Sequence, residues 1–459
     1  MRLRITALLL SLWVAIPGSV VAAPLLLISI DGLHPAYVIE ADRHGLKIPN
    51  LRGFVAKGTY ARGVIGVVPT VTYPSHTTLL TGVAPSEHGI SSNTVFDPTG
   101  ANYEGWYWYA EDLRVPTLWQ AAAQAKLKTA SVNWPVTVGD QYIQYLLPEY
   151  WRATTPDDLK LVRALSRPAG MIESLEARLG PFVNGYIDTV ESDVVRTRFS
   201  IALLKERQPD FMATHLIALD GTEHGEGPFV APAYATLEHL DRMIGELTAA
   251  ALANDPASIV AVVSDHGFIA THTEVNLRTR FVAAGLIKLV EPSQPYVAPA
   301  VASWDAQLWS GGAVAAVVLR EGADGNVRAR VAKLLDEVKS NPANGIARVF
   351  DRSELAARGG FPEAEFLIEF APGFYLGAGL RGELLSPAGS KGMHGYMPER
   401  PEMHAAFFIK GRGIAEARDL GVIDMRQIAP TLAKVLNVNM PSARAKPLPV
   451  SASAGVAVE

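Results

Sequence analysis

The chain has 459 residues, 49% of them hydrophobic, enough to bury a large core or one core with a subdomain attached. Its formal charge of -5, without long acidic or basic blocks, argues against a polymeric nucleic acid as partner, because nothing would drive binding by counterion release. Cysteine is absent, which excludes disulfides, thiolate metal ligands and a thiol nucleophile, and fits a bacterial periplasmic protein better than a disulfide-built ectodomain.

Residues 1–22 read as a secretory signal: Arg2 and Arg4, an apolar stretch from Ile5 to Val21, then Ala22 and Ala23, with cleavage after Ala22. Pro17 and Gly18 interrupt the run, which is marginal for a membrane span, and no second span follows. The expected location is therefore periplasmic or secreted. Residues 23–440 read as one domain. From Leu25 to about Pro292, apolar strands alternate with helical stretches at Val115–Ala125, Val194–Glu206, Tyr234–Ala253 and Leu277–Ala284. This predicts an α/β three-layer sandwich, a mostly parallel central sheet with helices on both faces.

Three apolar runs each end in an aspartate: Leu25–Ile30 before Asp31, Phe211–Leu219 before Asp220, and Ile259–Ser264 before Asp265. The carboxyl ends of parallel strands are where an open α/β sheet collects its ligands. Between about 293 and 365 the pattern changes to a β-like Ala313–Leu319 and an amphipathic Asn326–Ser340, which reads as a small inserted subdomain. The core is expected to resume at Phe366–Phe370, to reach Phe407–Lys410 and to close with a helix over Asp424–Leu436. The tail, 441–459, is rich in Ala, Ser, Pro and Val and is expected to be mobile.

Two of the aspartates have a histidine close by, His224 four residues after Asp220 and His266 directly after Asp265, the ligand chemistry of a divalent metal site. Glycines and a proline between Gly221 and Pro228 favour a loop around an ion over a helix. His394 is flanked by Gly392 and Gly395, which suits close approach of the backbone to a site. His76, His88 and His404 read as structural, as does Asp241.

The nucleophile must be an oxygen. In Pro69-Thr-Val-Thr-Tyr-Pro-Ser-His, Pro74 suits the first turn of a short helix ended by Gly82. Thr72 then lies at the helix amino end, where free N–H groups and the dipole favour a phosphate. Thr70 and Ser75 are rival nucleophiles, and the bland alternative makes Thr72 a helix cap.

Asp31 in Ser-Ile-Asp-Gly, Thr72-Tyr-Pro-Ser-His-Thr-Thr, His88-Gly-Ile-x-x-Asn93, Asp220-x-x-x-His224-x-x-Gly-Pro, Ser264-Asp-His-Gly and Gly392-Met-His-Gly-Tyr occur together in one order. This series resembles the nucleotide pyrophosphatase/phosphodiesterase branch of the alkaline phosphatase superfamily. The resemblance implies an alkaline-phosphatase-like fold, two zinc ions and a covalent phosphothreonine. Asp220, His224 and His394 would hold one ion; Asp31, Asp265, His266 and the nucleophile Thr72 the other. Asn93 would donate to a non-bridging phosphoryl oxygen. Glu223 stands where the family more often has glycine, and Met397-Pro398 replace a frequent Asp-Asn, which bears on loop shape and leaving-group preference.

No lysine or arginine lies between Arg62 and Arg114, so a local clamp for a doubly charged monoester is missing, which favours diesters or pyrophosphates. Tyr73 and the pair Tyr150-Trp151 are candidates for stacking on a nucleobase, the pair by its resemblance to the family. Trp106-Tyr-Trp-Tyr109 reads first as a packing cluster. The expected partner is a small phosphodiester or nucleotide; the alternatives on the same metal site are a glycerophosphodiester or headgroup phosphodiesterase, a phosphomonoesterase and a phosphonate hydrolase.

Overall fold

The computed structural model describes residues 23–452 apart from 103–104, 151–158, 183–186, 291–298 and 324. The expected signal at 1–22 lies outside the described residues, as do 453–459 of the tail.

Leu25–Ile30 (β1) is buried along its whole length. Leu26, Ile28 and Ile30 enter one core while Leu25 and Leu27 enter another, the two-residue period of a strand covered on both faces. Each such side chain contributes about 1.5–3 kcal/mol by leaving water.

β1 sits inside an eight-stranded sheet with Thr59–Tyr60 (β2), Thr129–Val132 (β3), Tyr145–Leu147 (β4), Phe211–Leu216 (β5), Ile259–Val263 (β6), Phe407–Gly411 (β7) and Arg418–Asp419 (β8). The order across the sheet is β8-β2-β7-β6-β1-β5-β3-β4. β7 alone runs against its neighbours β6 and β2; the other pairs are parallel.

Five helices matter for the site: Thr72–Thr81 (α1), Val190–Arg207 (α2), Ala218–Glu226 (α3), Ala231–Asn254 (α4) and Ile428–Val435 (α5). Phe199 and Leu203 of α2 and Leu240 and Ile244 of α4 pack on one face of the sheet; Leu79 and Leu80 of α1 and Ile428 and Leu432 of α5 pack on the other. The result is the three-layer α/β sandwich expected from the alternation of strands and helices.

A second sheet is antiparallel, in the order Ala306–Ser310, Val314–Leu319, Phe366–Phe370, Ile346–Asp351. The helix Gly325–Lys339 turns Val331, Leu334 and Leu335 into its core. Phe366–Phe370 therefore belongs to this smaller sheet and does not resume the large one. Phe366, Ile368 and Phe370 face one cluster and Leu367 another, so the strand carries the same unbroken apolar pattern as a strand of the main sheet.

The tail is seated through residue 452, contrary to the expected mobility. Leu448 and Val450 are buried in the core that holds α5, and the Leu448 N–H donates to Thr431 Oγ1 at 2.8 Å. The Ala415 N–H donates to the Val450 carbonyl at 2.9 Å. Two apolar residues suffice to dock a segment whose composition otherwise reads as patternless. Among the described residues, no helix is long and apolar enough to cross a membrane.

Candidate metal centre

Asp31 and Asp265 leave the carboxyl ends of the adjacent strands β1 and β6, and the Gly32 N–H donates to Asp265 Oδ1 at 3.1 Å. Asp220 arrives differently. β5 ends at Leu216, and Asp220 and His224 lie on helix α3, not in a loop, so their four-residue spacing puts both on one face. Two contacts explain why a glycine-rich stretch is helical here. Asp193 of α2 accepts from the Ile217 and Ala218 N–H groups at 3.1 and 2.8 Å, capping α3 from outside its own sequence. Gly221 is also packed so closely that a Cβ would stand 2.7 Å from the Asp188 carbonyl oxygen.

His394 is delivered by the short strand Gly392–Met393, which pairs antiparallel with Ile269–Ala270 just beyond Asp265. The flanking glycines are required by close approach: a Cβ at Gly392 would lie 2.5 Å from the Glu223 carbonyl oxygen, and Gly395, at φ +92°, would put one 2.0 Å from that of Gly311.

Two groups of donor atoms result, Asp31 with Asp265 and His266, and Asp220 with His266 and His394, the atoms of each lying within 4.8 Å of one another. His266 is within reach of both groups. His224 Nε2 stands 3.6 Å from Asp220 Oδ1, beside the second group. The Nδ1 atoms of His224 and His394 meet the backbone carbonyls of Gly392 and Thr70 at 3.0 and 3.2 Å. A carbonyl only accepts, so Nδ1 carries the proton and Nε2 keeps its lone pair toward Asp220, the arrangement of a metal-binding imidazole.

Asp31 Oδ1, Asp220 Oδ1, Asp265 Oδ2 and both nitrogens of His266 are buried without a hydrogen-bond partner. His266 Nε2 comes within 2.9 Å of Asp265 Oδ2 yet lacks hydrogen-bond alignment, as expected of atoms aimed at a common third body. Burial pushes the Asp31 carboxyl up, reinforced by the charges of Asp265 and Asp220; burial also pushes up Asp220. For Asp265, burial raises and His266 lowers, and the histidines win, so it stays below the carboxylate range. His394 is driven well down by burial and by His266 and His224. Crowded carboxylates and orphaned donors together fit a pair of divalent cations, and carboxylate with imidazole is a donor set that suits zinc.

Helix α1 begins at Thr72, with Val71 as its cap residue and no side-chain capping bond, so Thr72 is not a cap. Of the three candidate hydroxyls, Thr70 Oγ1 donates to the Tyr396 carbonyl at 2.6 Å, and Ser75 is fully buried, whereas Thr72 keeps 9% of its surface. His76 is buried, with its ring nitrogens 2.8 Å from the Thr72 carbonyl oxygen and from Ser29 Oγ. Asn93 Oδ1 accepts from the Tyr73 N–H at 2.9 Å, which fixes the amide's orientation and makes Nδ2 its donor end.

The aromatic candidates fare differently. Tyr73 has no exposed surface: its ring lies against Trp106 and its hydroxyl donates to Glu149 at 3.1 Å. Its ring therefore does not present a stacking face, because it completes the packing beneath α1. Tyr150 is half-buried with its ring edge-on to Trp108 at 4.8 Å, and Trp151 lies outside the described residues. Trp108 is buried in the same cluster as Tyr73, and Tyr109 is exposed.

Sequence reasoning missed His215 and Glu149, both buried behind Asp31. A histidine inside the apolar strand Phe-Met-Ala-Thr-His-Leu was the available signal. Glu223, noticed only as a departure from the family, is fully buried and accepts from the Tyr37 hydroxyl at 2.6 Å.

The family described as type I phosphodiesterase / nucleotide pyrophosphatase matches residues 25–397. Ectonucleotide pyrophosphatase/phosphodiesterase family member 1 of Mus musculus is 23% identical over 261 residues, 55% of this chain and 24% of that protein. A venom phosphodiesterase of Naja atra is 24% identical over 236 residues, 49% of this chain and 23% of that protein. The chain thus spans about a quarter of the length of these relatives. Among solved structures, murine ectonucleotide pyrophosphatase / phosphodiesterase 5, in an inactive threonine-to-alanine form in complex with AMP, superposes with a TM-score of 0.64 at 18% identity, covering 91% of this chain and 96% of that one. The human counterpart gives 0.62 at 17% identity, covering 94% and 97%. The fold is thus alkaline-phosphatase-like, and the chain belongs to the type I phosphodiesterase / nucleotide pyrophosphatase family.

Proposed function

We propose that this protein is an exported, two-zinc phosphodiesterase that splits nucleotide diesters or pyrophosphate bonds through Thr72. The observation that carries the reading is the set of buried, unpartnered donor atoms on Asp31, Asp220, Asp265 and His266, gathered beyond the carboxyl ends of three adjoining strands inside the main sheet. Asp220, His224 and His394 would hold one ion, and Asp31, Asp265, His266 and Thr72 the other. When bound, paired cations would stabilise the charge on the attacking and leaving oxygens of an in-line displacement.

Thr72 Oγ would attack phosphorus and expel one ester oxygen, leaving a phosphothreonine that keeps the second substituent. Water then splits the Thr72 Oγ–P bond and the hydroxyl regains its proton. Asn93, its Oδ1 held by the Tyr73 N–H, has Nδ2 left to donate to a non-bridging oxygen. The polar contacts of Asp31, Asp220 and Asp265 among the described residues are with histidines, backbone and one another, none with arginine or lysine, which supports a singly charged phosphoryl group.

With Tyr73 covered, Tyr150 and Trp151 are the proposed contacts for a base. The same covering of Tyr73 favours, as a second reading, a diester whose alcohol is a polar headgroup. Hydrolysis of bis-p-nitrophenyl phosphate compared with p-nitrophenyl phosphate tests the class; a monoester rate far above the diester rate would remove it. Thr72→Ala should abolish turnover with zinc content largely kept, and normal activity in that variant would remove the nucleophile assignment. Residues 1–22 complete the reading as a cleaved signal, checked by a mature amino terminus at Ala23.

A further inference from the structure

His215 lies in the middle of the sheet, on β5, and is fully buried behind Asp31. Its Nε2 is 3.0 Å from Asp31 Oδ2, while Asp31 Oδ1 turns toward His266 Nε2 at 3.4 Å and has no hydrogen-bond partner. The ring therefore occupies one carboxylate oxygen and leaves the other for a cation. On its far side, Nδ1 meets the Asn133 carbonyl oxygen at 3.2 Å and Glu149 Oε2 at 3.5 Å.

The path continues. Glu149 is 1% exposed, and its Oε1 accepts from the Tyr73 hydroxyl at 3.1 Å. Tyr73 directly follows Thr72, and its backbone N–H holds Asn93 Oδ1 at 2.9 Å. Asp31, His215, Glu149 and Tyr73, all buried, and the half-buried Asn93 thus form one polar series, joined at its centre by the longer His215–Glu149 contact, which is not a hydrogen bond. It runs from a candidate metal ligand to the amide proposed to meet the phosphoryl group. Burying such groups is costly unless they hold one another, and the neighbouring positions of β5 are mostly apolar. Packing alone gives no reason for a histidine there.

We infer that His215 and Glu149 are positioning residues, which select the oxygen that Asp31 presents to the cation and couple that choice to the placement of Tyr73 and Asn93. The inference rests on the two-metal reading. Partners that orient a metal ligand typically account for 10–100-fold in metal affinity or activity.

The test is calorimetric titration of Zn2+ into the metal-stripped full chain, with bis-p-nitrophenyl phosphate kinetics alongside. The wild type should take two ions. His215→Ala should weaken one of the two sites by about 10–100-fold and leave the other nearly unchanged. His215→Gln, whose amide can still donate to Asp31 Oδ2, should recover part of the loss. In an Asp31→Asn background, His215→Ala should add little, since the two act through one another. Two ions bound by the wild type and unchanged affinities in His215→Ala would overturn the inference alone, as would equal weakening of both sites, the mark of a merely structural role. A wild type that binds no zinc would take down the metal reading and the inference together. Should His215→Ala fail to fold, Glu149→Gln and Tyr73→Phe carry the test: weakening confined to one site supports the coupling, and unchanged affinity and kcat in both variants overturn it.

Discussion

Asp193 is the buried residue whose loss should be felt most strongly outside the centre itself. It is fully covered, pairs with the equally covered Arg196, and accepts from the Ile217 and Ala218 N–H groups that open α3. Removing the carboxylate strands a buried guanidinium whose remaining hydrogen bond among the described residues is to the Ile187 carbonyl oxygen. Breaking a buried pair from one side costs about 3–5 kcal/mol. Loss of the helix cap adds about 1–2 kcal/mol in Asp193→Ala, and less in Asp193→Asn, which keeps an acceptor oxygen. Urea denaturation at fixed zinc concentration measures both. Because the penalty comes from the unpaired cation, Asp193→Ala/Arg196→Met should be more stable than Asp193→Ala alone. A single variant within about 1 kcal/mol of wild type, or a double variant worse than the single, would refute the account.

Three further outcomes follow from the structure. His88 is buried with Nδ1 accepting from the Ile90 N–H at 3.1 Å, and burial pushes it down to about 3. Its folded value lies below the unfolded one, so the stability it contributes is complete above about pH 6.5 and falls by about 1.4 kcal/mol per pH unit on acidification toward pH 3; His88→Asn should flatten the measured curve. Truncation after Met440 removes the buried Leu448 and Val450 and should cost about 3 kcal/mol or more, read as a lower urea midpoint; an unchanged midpoint would mean the tail is not docked in solution. Chelation should lower the melting temperature, and zinc restored at about 100 times Kd should return about 2.7 kcal/mol per site; a melting temperature indifferent to zinc would contradict a folded-state metal site.

Much of the site could be read from one dimension because strand ends advertise themselves. Asp31 and Asp265 sit where apolar runs stop, and the glycines around His394 mark a backbone pressed against its neighbours. The helical state of Asp220-Gly-Thr-Glu-His was illegible because its cap, Asp193, comes from another helix, and local glycines outweighed it. His215 was hard to read for a related reason: a histidine in an apolar strand signals a polar partner, but that partner is 184 residues away in sequence and nothing local names it. Tyr73 shows the converse error. Adjacency to Thr72 suggested a role at the ligand, but consecutive residues at a helix start point in different directions, and its ring went into the core.

The antiparallel strand β7 fills the gap between β6 and β2, although the ribosome makes it long after both. While Ser264 through Ala406 are being added, the outer edge of β6 has no permanent neighbour and β2 has nothing to join. A nascent chain therefore cannot finish its central sheet until nearly all of it has emerged. The same delay is a hazard, since any product stalled before Phe407 ends with a naked hydrophobic edge ready to recruit another copy.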